Sequence, residues 1–360
     1  MTSISWHTRS RLRIIGAIAA KDIAEAIRNK SIISILIGVA ILLLSTRALP
    51  LLTRLNDDQR LVVYTENREL LRTLRRYEGL SVSPAASADI LSDVVGQNMG
   101  SLLGINLDQP LPAGDGPLTF AAYQVHWLST DDAAAAQAAT EAALSEIYDR
   151  PVSLELVRAY PPAASGGQPA IAAMTFMMIM LVIGAALVPF LFIEEREGKT
   201  LDLLLVSPAS VNELVIGKAV AGLVYVFAAG AVLLALYSYL IVQWPVAITV
   251  VLLGGLMAVM VGLVFGAFME NQGVLNFVAG LALILMFLPP LVEQFAADRG
   301  PAFLANIIHW LPTTAMSRLL RLSMAAETPP SGLAAELLVI TGFILALFFL
   351  VVWRLRQTDR

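Results

Sequence analysis

Cysteine is absent, histidine occurs three times, and charged residues make up only 14% of the 360. The first absence excludes disulfides, thiolate zinc sites, iron–sulfur ligation and cysteine nucleophiles. His7, His126 and His309 lie far apart in sequence. No HExxH zinc signature, no GxSxG nucleophile turn and no intramembrane Asp pair occurs, so no catalytic residue, metal site or cofactor site is predicted. A soluble domain carries about a quarter charged residues. The deficit, with 57% apolar residues and a mean hydropathy of +0.73, excludes an ordinary soluble protein. It also excludes a disordered chain, whose signature is low hydrophobicity. From Ala219 to Met269, 51 residues pass without one Asp, Glu, Lys or Arg. A membrane helix needs roughly 20 apolar residues, so this run holds two.

What charge there is collects in a few places. Residues 1–30 carry Arg9, Arg11, Arg13, Lys21, Arg28 and Lys30 against Asp22 and Glu25. Leu12, Ile15, Ile18, Ile23 and Ile27 recur among them at near-helical spacing, which predicts an amphipathic helix at a membrane surface. The basic stretch is too long for a secretory signal, and no cleavage site follows. Residues 31–53 read as a first span, with Arg47 as an interface anchor near its far end. Further spans are predicted at Ala170–Ile193, Ala219–Val242, Val246–Phe268, Val274–Val292 and Leu333–Trp353. The total is six, so both termini share a side. The basic N-terminal segment and Arg354, Arg356 and Arg360 at the other end place that side in the cytoplasm. The location expected is the cytoplasmic (inner or plasma) membrane, with the lipid bilayer as partner and no nucleic acid.

Residues 54–168 differ. They hold 15 acidic and 8 basic residues, a net of −7. Strand-like runs at Arg60–Thr65, Leu118–Leu128 and Val152–Ala159 alternate with helical runs at Asn67–Tyr77, Ala88–Gln97 and Asp131–Tyr148. That pattern predicts an α/β domain inserted between helices 1 and 2 on the extracytoplasmic side. The fold class expected is an α-helical polytopic membrane protein of six helices carrying this insertion.

The polar break at 194–218 is the most informative segment. Glu194, Glu195, Arg196 and Glu197 follow a span directly, and Gly198 comes next. Leu201, Leu204 and Leu205 then share one helical face. Ser207-Pro208 stops that helix, and Ser210 with Glu213 reads as a capping box for the next. Gly217-Lys218 opens the following span. A short amphipathic helix between two ordered connections suits docking into a groove on a partner. A solvated loop would not need it.

This segment resembles the signature of ABC-2 type transporter permeases, the membrane subunits of one class of ABC exporters. The matching residues are Glu194-Glu195-Arg196-Glu197-Gly198, Thr200-Leu201, Leu204-Leu205, Ser207-Pro208 and Gly217-Lys218, with Lys199 inserted and Asp202 in place of the usual Glu. Ala20-Lys21-Asp22 through Arg28-Asn29-Lys30 is similar to the family's connecting helix. His309-Trp-Leu-Pro-Thr-Thr314 with Arg318 and Arg321 is similar to the stretch before its last span. The resemblance implies a separate ABC ATPase subunit that holds ATP and Mg, a second permease copy as homodimer or related heterodimer, and export. It makes Glu194, Glu195, Arg196, Glu197, Gly198, Thr200, Leu201, Leu204, Leu205, Pro208, Gly217 and Lys218 the ATPase-coupling set. No GxxxxGK[ST] phosphate loop occurs in this chain. The competing expectation is a membrane-anchored sensor or envelope scaffold whose outer domain binds a ligand or partner.

Several residues remain. Glu270 reads as a loop residue, with a role at the ATPase interface as the alternative, and Glu293 as an interfacial carboxylate or a member of a cation pathway. His126 and Trp127 read as packing, and Trp310 as an interface aromatic. Met174, Met177, Met178 and Met180 read as apolar filler, since soft-metal binding lacks any nearby Cys or His. Gly262 and Gly266 have the GxxxG spacing that lets helices approach, in a dimer or within one chain.

Overall fold

In a computed structural model, residues 3–26, 30–53, 59–77, 80–97, 103–110, 116–127, 130–162, 166–190, 193, 211–269, 271–296, 302–326 and 330–358 are described. They form a helical bundle and a five-stranded sheet. The charged N-terminal segment is α1 (Ser3–Ala26), and the first apolar run is α2 (Lys30–Thr53). After the sheet come α6 (Gly167–Val182), α7 (Val211–Leu236), α8 (Trp244–Phe268), α9 (Gln272–Ala296), α10 (Ala302–His309), α11 (Pro312–Leu322) and α12 (Pro330–Thr358). Five helical stretches are long and apolar enough to cross a membrane: Gly167–Phe190, Ile216–Leu236, Trp244–Phe268, Gln272–Gln294 and Gly332–Arg354. Within α2, Ile33–Ser45 is a shorter apolar stretch.

Burial sorts these helices into centre and rim. The stretch containing α6 is 78% buried and α8 61%, against 17% for α9 and 22% for α12. Small residues decide the centre. α6 widens into a π-helical segment at Ile183–Leu187. There a Cβ on Gly184 would lie 2.5 Å from the backbone of Ala258, and one on Gly262 would collide with the carbonyl oxygen of Gly184. Only glycine at both positions allows this backbone-to-backbone approach. Gly262 thus packs within the chain, and Gly266 is buried beside it. Met177 and Met180 are wholly buried in the same core.

Pro289 and Pro290 do not end a helix, although the sequence places them at a span boundary. α9 runs through both to Ala296. Proline is tolerated inside membrane helices because neighbouring groups meet the freed carbonyls. Residues 300–328, without a clear period in the sequence, contain α10 and α11. α11 inserts among α6, α8, α9 and α12 and buries nearly its whole length.

Between α2 and α6 lie β1 (Gln59–Tyr64), α3 (Arg68–Arg75), β2 (Leu80–Pro84), α4 (Leu91–Gln97), β3 (Leu103–Asn106), β4 (Leu118–Val125), α5 (Thr130–Tyr148) and β5 (Val152–Ala159). The sheet order is β2-β1-β3-β4-β5. Every neighbouring pair is parallel except β3–β4. Parallel neighbours need crossover connections, and α3, α4 and α5 supply helices for them. Alternation along β1 sends Leu61 and Val63 to one face, with Leu74 of α3 and Leu144 of α5. Val62 goes to the other face, with Leu91 and Val95 of α4. Gly104 on β3 lets α4 lie close, since a Cβ there would collide with Val95. β2 and β3 are not among the strands expected from the sequence, because each alternates over only four residues.

The bundle has two distinct ends. At one end Trp127 packs against both the sheet and the bundle core. α1 lies at the far end, beside the start of α7.

Candidate coupling site

Four contacts run between α1 and α7. Arg11 Nε stands 3.6 Å from a carboxylate oxygen of Glu213. A Cβ on Gly217 would lie 2.7 Å from Ile18. Lys218 Nζ donates to Asp22 Oδ2 at 3.3 Å. The Tyr225 hydroxyl donates to the carbonyl oxygen of Ile23 at 2.6 Å. Residue numbers rise together on both helices, so α1 and α7 lie parallel. From Arg11 to Ile23 and from Glu213 to Tyr225 the contacts follow the helices for about 18 Å, at roughly 1.5 Å per residue.

The local sequence explains the seam. Isoleucines at 15, 18 and 23 give α1 one apolar edge, and Gly217 supplies the notch that receives Ile18. The Lys218 and Asp22 side chains are 1% and 2% exposed. Buried charges persist only when paired. Breaking such a pair costs several kcal/mol because it strands the remaining charge.

Gly217 and Lys218 therefore sit together on the face of α7 that holds α1. Glu194, Glu195, Arg196, Glu197, Gly198, Thr200, Leu201, Leu204, Leu205 and Pro208 lie outside the described residues, as does Glu270. The segment 194–210 is preceded by the helical stretch that continues from α6 past the π-helical segment. There Phe190 and Ile193 pack with Leu275 and Ala279 of α9. On the other side it meets α7 at Val211, six residues before Gly217 packs against α1.

A second charged group lies at the sheet end. Arg318 on α11 pairs with Glu293 on α9 through a short contact, and with Glu336 on α12 at 2.9 Å. It also donates to His309 at the end of α10. Arg321 reaches Glu293 at 3.1 Å and donates to Gln294 Oε1 at 2.9 Å. The side chains of Arg318 and Glu293 are 18% and 15% exposed. Glu293 thus has two guanidinium partners. The sequence singles out Glu293, His309, Arg318 and Arg321 but not Glu336. Its signal was its place as the one acid in an otherwise apolar run. Likewise Lys218 borders the long uncharged run, which calls for a partner. Sequence alone gives no way to select Asp22.

Among the described residues no group of three or more His, Asp or Glu could hold a metal ion.

Helices of membrane-spanning length packed around a glycine-lined centre define a multi-pass membrane protein, here with a small sheet and a charged helix along the bundle. A family model described as ABC-2 family transporter protein matches residues 30–353, nine-tenths of the chain. The chain belongs to that family and is an ABC transporter permease, a membrane component without an ATPase site whose family works with an ABC ATPase. No curated protein matches the sequence.

Proposed function

We propose that this chain is the membrane half of an ATP-driven exporter, paired with a second permease copy and with ATPase subunits. α2 completes a set of six spans. Both termini face the cytoplasm, and the sheet unit stands on the extracytoplasmic side of the cytoplasmic membrane. ATP and Mg are bound by the partner, not by this chain.

In this reading residues 194–210 dock into the ATPase, with Leu201, Leu204 and Leu205 as the apolar face. Glu194, Glu195, Arg196, Glu197, Gly198, Thr200 and Pro208 shape its approach. The observation that carries the reading is the buried Asp22–Lys218 pair. It joins α1 to the helix that continues from the docking segment, so a push on that segment moves α1 and α7 as one body. Motion then passes to α6 and α8 through their contacts with α7.

The test is copurification. Leu204→Asp is expected to abolish recovery of the ATPase with the permease while membrane insertion stays normal. Undiminished recovery would overturn the coupling role of this segment.

A further inference from the structure

β4 delivers His126 to the seam between sheet and bundle. Its ring stacks on Tyr160, with centroids 4.8 Å apart and planes 25° from parallel. It meets Trp127 edge-on at 4.9 Å. Its backbone N–H donates to the carbonyl oxygen of Ala159 at 3.1 Å. Nε2 lies 3.4 Å from the carbonyl oxygen of Leu240, in the turn that joins α7 to α8. A carbonyl only accepts, so Nε2 carries the proton and Nδ1 is left as a lone pair. Nδ1 is buried and has no hydrogen-bond partner among the described residues. A second proton would place a charge in a buried site where only the backbone carbonyls of Leu240 and Ala159 favour it, against the larger cost of burial.

No side chain adds to that compensation. β5 contributes Arg158, whose positive charge opposes protonation, and Tyr160 follows that strand. α4 contributes Asp93, which is exposed. β4, α6 and the α7–α8 turn carry no charged residue; their polar groups include Gln124, Gln168, Tyr237 and Tyr239. Burial, with Arg158 adding to it, holds the His126 imidazole below its ordinary value. The turn is tied on its other side as well. The backbone N–H groups of Val242 and Gln243 donate to the carbonyl oxygen of Ser323, at 2.9 and 2.7 Å, where α11 ends.

We propose that His126 is a proton-sensitive latch between the sheet unit and the membrane bundle. The neutral ring docks the sheet on the α7–α8 turn, and protonation undocks it. Released into water, the ring titrates near the ordinary histidine value of about 6.5. Docking is therefore at full strength above about pH 6.5. It weakens by up to about tenfold per pH unit as pH falls from there towards the lower value of the docked ring. Acidity on the side that holds the sheet then frees the turn that grips α11.

Because the natural chain has no cysteine, spin labels can be placed freely. Glu155→Cys on β5 and Ile248→Cys on α8 are both exposed positions. The doubly labelled full chain, in lipid nanodiscs and diluted with unlabelled chain, is measured by electron–electron double resonance. One narrow distance is expected at pH 8, with a second, longer population at pH 5.5. His126→Phe, and independently His126→Gln, should keep the narrow distance at both pH values. A distribution that does not change with pH in the natural background overturns the proposal. So does a pH response that survives in a folded His126 variant.

Discussion

Lys218 Nζ sits 3.3 Å from Asp22 Oδ2, nearly 200 residues away in sequence, with both side chains almost wholly buried. The pair sits where a helix rich in charge meets a helix that is almost free of it.

Removing one partner should cost far more than removing both. Lys218→Met removes the cation beside the buried Asp22 carboxylate and is expected to destabilise the protein by about 3–5 kcal/mol. The double variant Asp22→Asn, Lys218→Met should recover most of that loss. Thermal unfolding in detergent of the two single variants and the double variant checks it, and additive losses would show that the two charges act independently.

The glycine contact between α6 and α8 has no spare volume. Gly184→Val or Gly262→Val forces backbones apart and is expected to destabilise by roughly 1–3 kcal/mol or more, the range for overpacked cores. Gly342, whose Cβ would meet nothing within 4 Å, provides the control. Gly342→Val should leave unfolding unchanged. The melting midpoints of the three variants decide the matter.

At the sheet end, Arg318 serves Glu293 and Glu336 from one guanidinium fork. Arg318→Ala takes the guanidinium from Glu336 and leaves Glu293 with Arg321 alone, in a mostly buried site. It is expected to lower the melting midpoint strongly. Arg318→Lys should rescue little, since an ammonium cannot reproduce the fork. Adding Glu336→Gln to Arg318→Ala should restore part of the loss. Scanning calorimetry of this series gives the answer, and full rescue by lysine would mean that charge alone matters.

Tyr225 closes the α1–α7 seam through its hydroxyl, which donates to a backbone carbonyl. Tyr225→Phe removes about 0.5–1.5 kcal/mol of hydrogen bonding while keeping the ring. Proteolysis is expected to cut α1 faster in this variant, with the rest of the bundle unaffected. Equal cutting rates would place the strength of the seam elsewhere.

Much of this protein was legible in its residue order. Long uncharged runs mark helices for an apolar medium wherever the chain folds, because backbone groups there must bond internally. The alternation in residues 60–65, 118–128 and 152–159 marked three strands, and the sheet holds all three. Of the GxxxG pair read from spacing, Gly262 lies at a close helix approach. β2 and β3 escaped notice because Leu80-Ser81-Val82-Ser83 and Leu103-Gly104-Ile105-Asn106 alternate over only four residues, too short a run to stand out. They are strands because β1 offers an edge on each side. The partner of each buried charge was equally out of reach. Lys218 announced a need for an acid, yet Asp22 and Glu25 both stand on the N-terminal helix. The choice follows from the rotation of α1 against the notch at Gly217. Glu293 looked like a surface carboxylate until α11 folded in beside it. Sequence set the medium, the helices and the chemistry available. Tertiary structure decided which charges meet, because pairing depends on helix rotation and depth, quantities that no linear spacing records.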